Sequence, residues 1–269
     1  MKMYCITLDN NHYEKIKRLG YIPVGLGDKI FSKKFKSDNK GDNISLKNPF
    51  YGEYSFHYWL WKNELKNLQD KEWLGFCQYR KFWSLNVNKK NYKDIDQLNK
   101  YLIKKIPETL NEYETILGNP LFINQLRPIK FFKKNFFKMI KNPNLFFDKK
   151  KRNIKFHFDL MHGEGNLEKA ISLLDHEYKK DFEEYVNTEV SFNPHNMFIC
   201  NSKKNLNNFY SVIFPWLERC ENKFGFNLEG YGLKRIYGFL AERFMPFWFK
   251  KNTRCTTLPI IFKDINEIN

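Results

Sequence analysis

The chain lacks any long apolar run, and none of its 269 residues lies in a stretch approaching the roughly 20 apolar residues that a bilayer-crossing helix needs. Its first residues, Met1 to Asn11, turn polar after one short strand's worth of apolar positions, too soon for the apolar core of a signal peptide. Cysteine is sparse and unpatterned. Cys5, Cys77, Cys200, Cys220 and Cys255 are odd in number, widely spaced and form no CxxC pair, so nothing suggests a zinc or redox site and reduced thiols fit best. Reduced thiols and the missing apolar run together lead us to expect a cytoplasmic protein, soluble or peripheral at the inner face of a membrane. Three chemical motifs are also missing: no GxGxxG follows the first strand, no GxxxxGK[ST] occurs, and no GxSxG elbow is present. Dinucleotide binding of the usual kind, P-loop chemistry and serine hydrolysis lose their support. His157 and His162 stand five apart, so they do not form an HExxH zinc helix.

What is present is charge of one sign and much aromatic surface. Lys and Arg number 46 against 30 Asp and Glu, a formal net charge of +16 that attracts phosphate groups of any origin. Apolar residues make up 42% and aromatics 18% of the chain, enough to offset the ordering entropy of a folded core. The length suits one domain, read as a first half over 1–123, an insertion over 124–156 and a second half over 157–269.

Strand and helix signals alternate. Met3 to Leu8, Tyr21 to Leu26, Trp73 to Phe82, Glu114 to Leu117 and Asn196 to Cys200 read as strands. Helices are expected over Pro49 to Leu68, Asp94 to Leu110, Asn166 to Tyr185, Asn205 to Lys223 and Gly232 to Phe249. This order predicts an α/β fold with a mostly parallel sheet flanked by helices, whose ligand lies at the carboxyl ends of the strands. The strand Trp73 to Phe82 closes on Tyr79-Arg80-Lys81, a basic ending at such an edge. Residues Arg127 to Lys155 interleave eleven Lys or Arg with phenylalanine and hold one acid, Asp148, so they are expected to form a basic amphipathic helical insertion able to meet an anionic membrane.

Five ordered blocks carry a family resemblance. Ile22-Pro23-Val24-Gly25, Gly41-Asp42-Asn43-Ile44-Ser45 and Gly52-Glu53 leading to Tyr58-Trp59-x-Trp61-Lys62-Asn63 resemble the DUF4422 family of capsular and lipopolysaccharide glycosyltransferases. Leu74-Gly75-Phe76-Cys77-Gln78-Tyr79-Arg80-Lys81-Phe82 is similar to that family's GLxHYRRYF signature, with Gln78 in place of His and Lys81 in place of the second Arg. His157-Phe158 with His162, then Asn196-Met197-Phe198-Ile199, then Arg235-x-x-Gly238-Phe239-x-x-Glu242-Arg243, complete the likeness.

The resemblance implies a GT-A-like fold with C-terminal helices and hexosyl transfer, galactose or galactofuranose favoured, from a UDP-sugar to a glycan or lipid-linked glycan acceptor. It implies a donor site in the first half at Val24, Gly25, Asp42, Asn43, Glu53, Asn63, Tyr79, Arg80 and Lys81, and an acceptor side that includes Asn196 and Arg243. Where a metal-dependent enzyme of this type carries Asp-x-Asp, the chain has Gln78-Tyr79-Arg80-Lys81, and guanidinium and ammonium groups can neutralise a leaving diphosphate directly. No cofactor is therefore expected, although Mn or Mg stays compatible. A base must take the acceptor hydroxyl's proton, and Asp159, His162, His195 and Glu242 are the candidates, His162 first because Gly163 and Gly165 beside it permit close backbone approach. The competing reading is a non-catalytic basic protein of nucleic acid or membrane surfaces; RRM, KH and helix-turn-helix signatures are missing, and no nucleic-acid partner is expected.

Overall fold

A computed structural model describes residues 1–86, 92–126 and 149–268. Its strands in chain order are β1 (Lys2–Thr7), β2 (Ile22–Gly25), β3 (Lys36–Ser37), β4 (Leu74–Gln78), β5 (Lys81–Trp83), β6 (Thr115–Gly118), β7 (Leu121–Phe122), β8 (Ser191–Phe192), β9 (Phe198–Cys200), β10 (Cys255–Leu258) and β11 (Ile260–Phe262). The helices are α1 (Tyr13–Arg18), α2 (Asn48–Tyr51), α3 (Tyr54–Trp59), α4 (Ile95–Asn99), α5 (Ile154–His162), α6 (Asn166–Ser172), α7 (His176–Thr188), α8 (Lys203–Phe224), α9 (Tyr231–Lys234) and α10 (Ile236–Asn252).

Two compact units divide the described residues. The first comprises Met1–Asn119, His195–Val212 and Trp248–Asn269; the second comprises Pro120–Pro194 and Ile213–Phe247. They interleave along the chain, because α8 and α10 each contribute to both, whereas the sequence suggests consecutive halves.

The first unit is built on a sheet ordered β10-β6-β9-β4-β1-β2-β3, with β5 and β11 attached beside β4. β1 pairs in parallel with β2 and β4, β2 with β3, and β6 with β10, while β9 runs antiparallel between β4 and β6. The expected α/β architecture, a largely parallel sheet flanked by helices, is what the chain adopts. Alternation along the strands explains the two covered faces. Met3, Cys5, Cys77, Ile116 and Ile199 point to one face and pack with Ile16 and Leu19 of the α1 region and Ile95 and Leu98 of α4. Tyr4, Phe76 and Phe198 point to the other, where Tyr4 meets Phe56 at 5.3 Å and Phe198 meets Phe249 at 4.8 Å.

Several elements depart from the sequence reading. The helix expected over Pro49 to Leu68 breaks at Gly52, whose φ of 59° ends α2; after α3 the chain widens into a π-helical turn, Leu60–Glu64. Of the helix expected over Asp94 to Leu110, α4 forms, capped by Asp94 accepting from the Gln97 N–H at 2.7 Å. Ile103 then donates its N–H to the Trp83 carbonyl, so this segment joins the sheet edge instead of continuing the helix. The strand expected over Trp73 to Phe82 is a hairpin, β4 turning at Tyr79-Arg80 into antiparallel β5. β9 starts at Phe198 because His195 and Asn196 take φ values of 85° and 53°, which a strand cannot use. The helix expected over Asn166 to Tyr185 divides into α6 and α7 around Leu173-Leu174-Asp175.

The second unit is helical, with a short β7–β8 ribbon. Its core is aromatic: Phe182 lies 5.2 Å from Phe244 and 6.0 Å from Trp216, and Trp216 donates to the Ala170 carbonyl. Of the basic insertion, residues 127–148 lie outside the described residues; Lys149–Lys151 form a 3-10 turn leading into α5, which Asn153 caps. Among the described residues no helix is long and apolar enough to cross a membrane.

Candidate active site

β1 has β2 on one side and β4 on the other, so the chain changes direction across the sheet at β1, and the carboxyl ends of these strands border the crevice where parallel sheets bind ligands. Those ends are Thr7, Gly25 and Gln78. Thr7 Oγ1 accepts from the Asp9 N–H and lies 2.7 Å from Nδ1 of the buried His12, whose Nε2 is 2.7 Å from Asn266 Oδ1. An Nε2–H donor to Asn266 Oδ1 leaves Nδ1 to accept from the Thr7 hydroxyl.

After β2 the backbone is crowded. A Cβ at Gly25 would stand 2.3 Å from the Phe31 ring, so only glycine fits; Val24 is fully buried and contributes packing. The Gly27 N–H donates at 2.9 Å to Asp38, a carboxylate with no exposed surface whose Oδ2 finds no hydrogen-bond partner among the described residues. Burial pushes the Asp38 carboxyl up to about 6 against the opposing pull of Ser55 and Gly27. Asp38 was not among the residues the sequence suggests; it sits in a polar run whose composition marks a loop and nothing more.

The β4–β5 hairpin carries the basic group. The Tyr79 N–H donates to Ile6, and the carbonyls of Tyr79 and Arg80 accept from the Ile265 and Lys263 N–H groups, so the C-terminal segment clamps the turn. Arg80 is exposed with its guanidinium 4.8 Å over the Tyr79 ring, and that ring lies 4.9 Å from His12. Gln78 is buried and joins three groups. Its Nε2 donates to Glu53 Oε1 at 2.9 Å and to the His195 carbonyl at 3.0 Å, and its Oε1 accepts from Lys81 Nζ at 3.1 Å. Glu53, Lys81 and the His195-Asn196 backbone thus meet at one strand end. The His195 ring packs 5.2 Å from Phe262, and the Asn196 side chain is buried.

Asp42, Asn43 and Asn63 hold a loop in place. Asn63 accepts from the Asp42 N–H at 3.1 Å and donates to the Asp42 carbonyl at 2.7 Å, the Tyr58 hydroxyl reaches Asp42 Oδ1 at 3.2 Å, and Asn43 Oδ1 accepts from the Ser45 N–H and hydroxyl. The π-helical turn is what turns Asn63 toward this loop, an irregularity that periodicity does not announce.

The remaining candidates belong to the helical unit. His162 is buried, stacked 4.0 Å from Phe239, and donates through Nδ1 to the Gly232 carbonyl at 3.0 Å; burial and the Arg243 charge push it down to about 3. A ring held so far below neutrality is a weak proton acceptor. Asp159 pairs with Lys155 at 2.8 Å and accepts from the Gly165 N–H, a helix-joining role. Arg243 is 1% exposed, ion-paired to Glu242, 3.9 Å from the Phe192 ring, and 3.2 Å through Nη2 from Nδ1 of His157. Among the described residues no three His, Cys, Asp or Glu side chains converge as a metal cage.

A family model described as a domain of unknown function, DUF4422, matches residues 2–253. The chain belongs to the DUF4422 family. No curated protein matches this DUF4422 chain in sequence. Among solved structures it is similar to the apo structure of WbbM, a bifunctional glycosyltransferase, with a TM-score of 0.69 at 18% identity, over 98% of this chain and 45% of that one. The likeness establishes the shared fold of the DUF4422 chain, which spans just under half the length of WbbM.

Proposed function

We propose that this DUF4422 protein is a glycosyltransferase that moves a hexose, galactose or galactofuranose favoured, from a UDP-sugar to a glycan or lipid-linked glycan acceptor in surface-polysaccharide assembly. The observation that carries the reading is the meeting of Lys81, Glu53 and the Arg80 hairpin at the carboxyl end of β4, beside the point where the sheet changes direction. Family membership and the WbbM-like fold support it.

In this reading the acceptor hydroxyl oxygen bonds to the anomeric carbon while the bond from that carbon to the diphosphate breaks, and UDP leaves with the electron pair. Arg80 and Lys81 meet the charge that develops on the diphosphate. Glu53 accepts hydrogen bonds from donor hydroxyls, and the hydroxyl proton passes to His195, the base candidate that precedes β9 beside the carboxyl end of β4. Asp42, Asn43 and Asn63 shape the loop on the donor side.

The test is a hydrolysis and transfer panel across nucleotide sugars, with and without EDTA, on wild type and Arg80→Ala. Turnover of a UDP-hexose, reduced about tenfold or more in Arg80→Ala, is expected. Full loss with EDTA beside unimpaired Arg80→Ala activity would overturn the diphosphate assignment. Stabilisation against heat by a single-stranded oligonucleotide and by no nucleotide sugar would overturn the transferase reading itself.

A further inference from the structure

At the end of β4, Gln78 has both amide hydrogens and its amide oxygen engaged by other parts of the proposed site. Its two amide hydrogens go to Glu53 Oε1 and the His195 carbonyl, and its oxygen takes the Lys81 ammonium. The residue is 9% exposed and closes a strand whose other residues are buried, so its χ angles are set by packing. A primary amide is suited to this task for a simple reason: it offers two donors and an acceptor together, and it does so at every pH. An imidazole at the same place offers one donor and one acceptor when neutral and two donors when charged, so it could not serve all three partners in either state.

The partners come from three separate segments. Glu53 follows the Gly52 break before α3, Lys81 starts β5, and His195 belongs to the left-handed pair that leads into β9. Two consecutive non-glycine residues at positive φ are a strained arrangement that persists where surrounding contacts hold it, and the Gln78 donor to the His195 carbonyl is one of those contacts. The carboxylate, the ammonium and the strained turn therefore share one untitratable anchor.

We propose that Gln78 is the positioning residue of the transfer site: it orients Glu53 toward the donor sugar's hydroxyls and Lys81 toward the diphosphate, and keeps that orientation independent of pH through the neutral range. This rests on the transferase reading. Gln78 touches neither substrate; it acts through Glu53 and Lys81.

The experiment measures kcat and KM for the UDP-hexose that wild type turns over, between pH 5.5 and 8, for wild type, Gln78→His, Gln78→Leu, Glu53→Gln and the Glu53→Gln/Gln78→Leu double variant, together with UDP affinity. Expected are a kcat at least tenfold lower in Gln78→Leu with UDP affinity changed less than about threefold, and a loss in the double variant smaller than the product of the two single losses, because both substitutions remove the shared Gln78–Glu53 contact. In Gln78→His a second ionisation, beyond that of the His195 base, should reshape the pH profile near neutrality relative to wild type. A purely structural role would lower folded protein without reshaping the profile. Wild-type-shaped profiles and kcat within twofold in both Gln78 variants would overturn the positioning role while leaving the transferase standing. Failure of wild type to bind UDP or turn over any nucleotide sugar would overturn the transferase reading and this role with it.

Discussion

The backbone N–H of Gly27 donates to Asp38 Oδ1 at 2.9 Å, and through it the loop after β2 is tied to a carboxylate that has no exposed surface. Gly27 takes a φ of 80°, so the turn that presents this N–H depends on glycine. Burying the acid raises its pKa to about 6, and the direction of that shift determines how stability responds to pH.

A carboxyl whose folded pKa lies above its unfolded value binds the proton more tightly when folded. Asp38 therefore adds stability below pH 4, and this contribution is lost as pH rises through 6, by about 2–3 kcal/mol for a shift of this size. Asp38→Asn keeps an acceptor for Gly27 and removes the titration. Urea unfolding at pH 4.5 and pH 7 should find the variant gaining on wild type at the higher pH; parallel behaviour at both would refute the buried-acid account.

His57 has the opposite sign. It is wholly buried between Phe76 at 4.3 Å and Phe198 at 5.3 Å, its Nδ1 lies 2.9 Å from the Tyr210 hydroxyl, and burial pushes its pKa down to about 3. The folded chain keeps this ring neutral while the unfolded chain protonates it. The stability it contributes is present above pH 6.5 and falls as pH drops toward 3, with a slope approaching about 1.4 kcal/mol per pH unit. His57→Phe fills the same aromatic nest, so its unfolding free energy should decline less steeply between pH 6 and 4, by about that slope; identical slopes in denaturant titrations would count against it.

Arg243 holds the helical unit through charge and stacking together. The buried guanidinium combines an ion pair with Glu242, a contact with the Phe192 ring and a donor to His157. Arg243→Met should cost about 3–5 kcal/mol, since it removes the buried guanidinium from its ion pair with Glu242. Arg243→Lys should recover only part of this, because an ammonium lacks the planar face and the second donor. Chemical denaturation of Glu242→Gln/Arg243→Met checks the cause: it should be more stable than Arg243→Met alone.

Legibility followed the range of the physical signal. The β-forming and apolar character of Lys2–Thr7 and Leu74–Gln78 identifies strands from neighbouring residues alone, and Gly25 and Tyr79-Arg80-Lys81 mark strand ends by turn chemistry and charge. The long helices α8 and α10 were visible for the same reason. Where the expectation failed, a distant contact won: the Trp83 carbonyl took the Ile103 N–H out of a helix, and Gly52 broke another with a backbone angle that composition does not reveal.

The site divides in the same way. By itself the sequence determined the α/β class, the family and the basic character of the β4 end, because these reside in local pattern and composition. Only the tertiary structure decided that Gln78 would face Glu53 25 residues before it and His195 117 residues after it, that Asp38 would lie in the dry interior, and that His162 would be stacked and neutral. Those meetings depend on strand order and burial, which arise when remote segments compete for the same core, and no short window of residues encodes the winner.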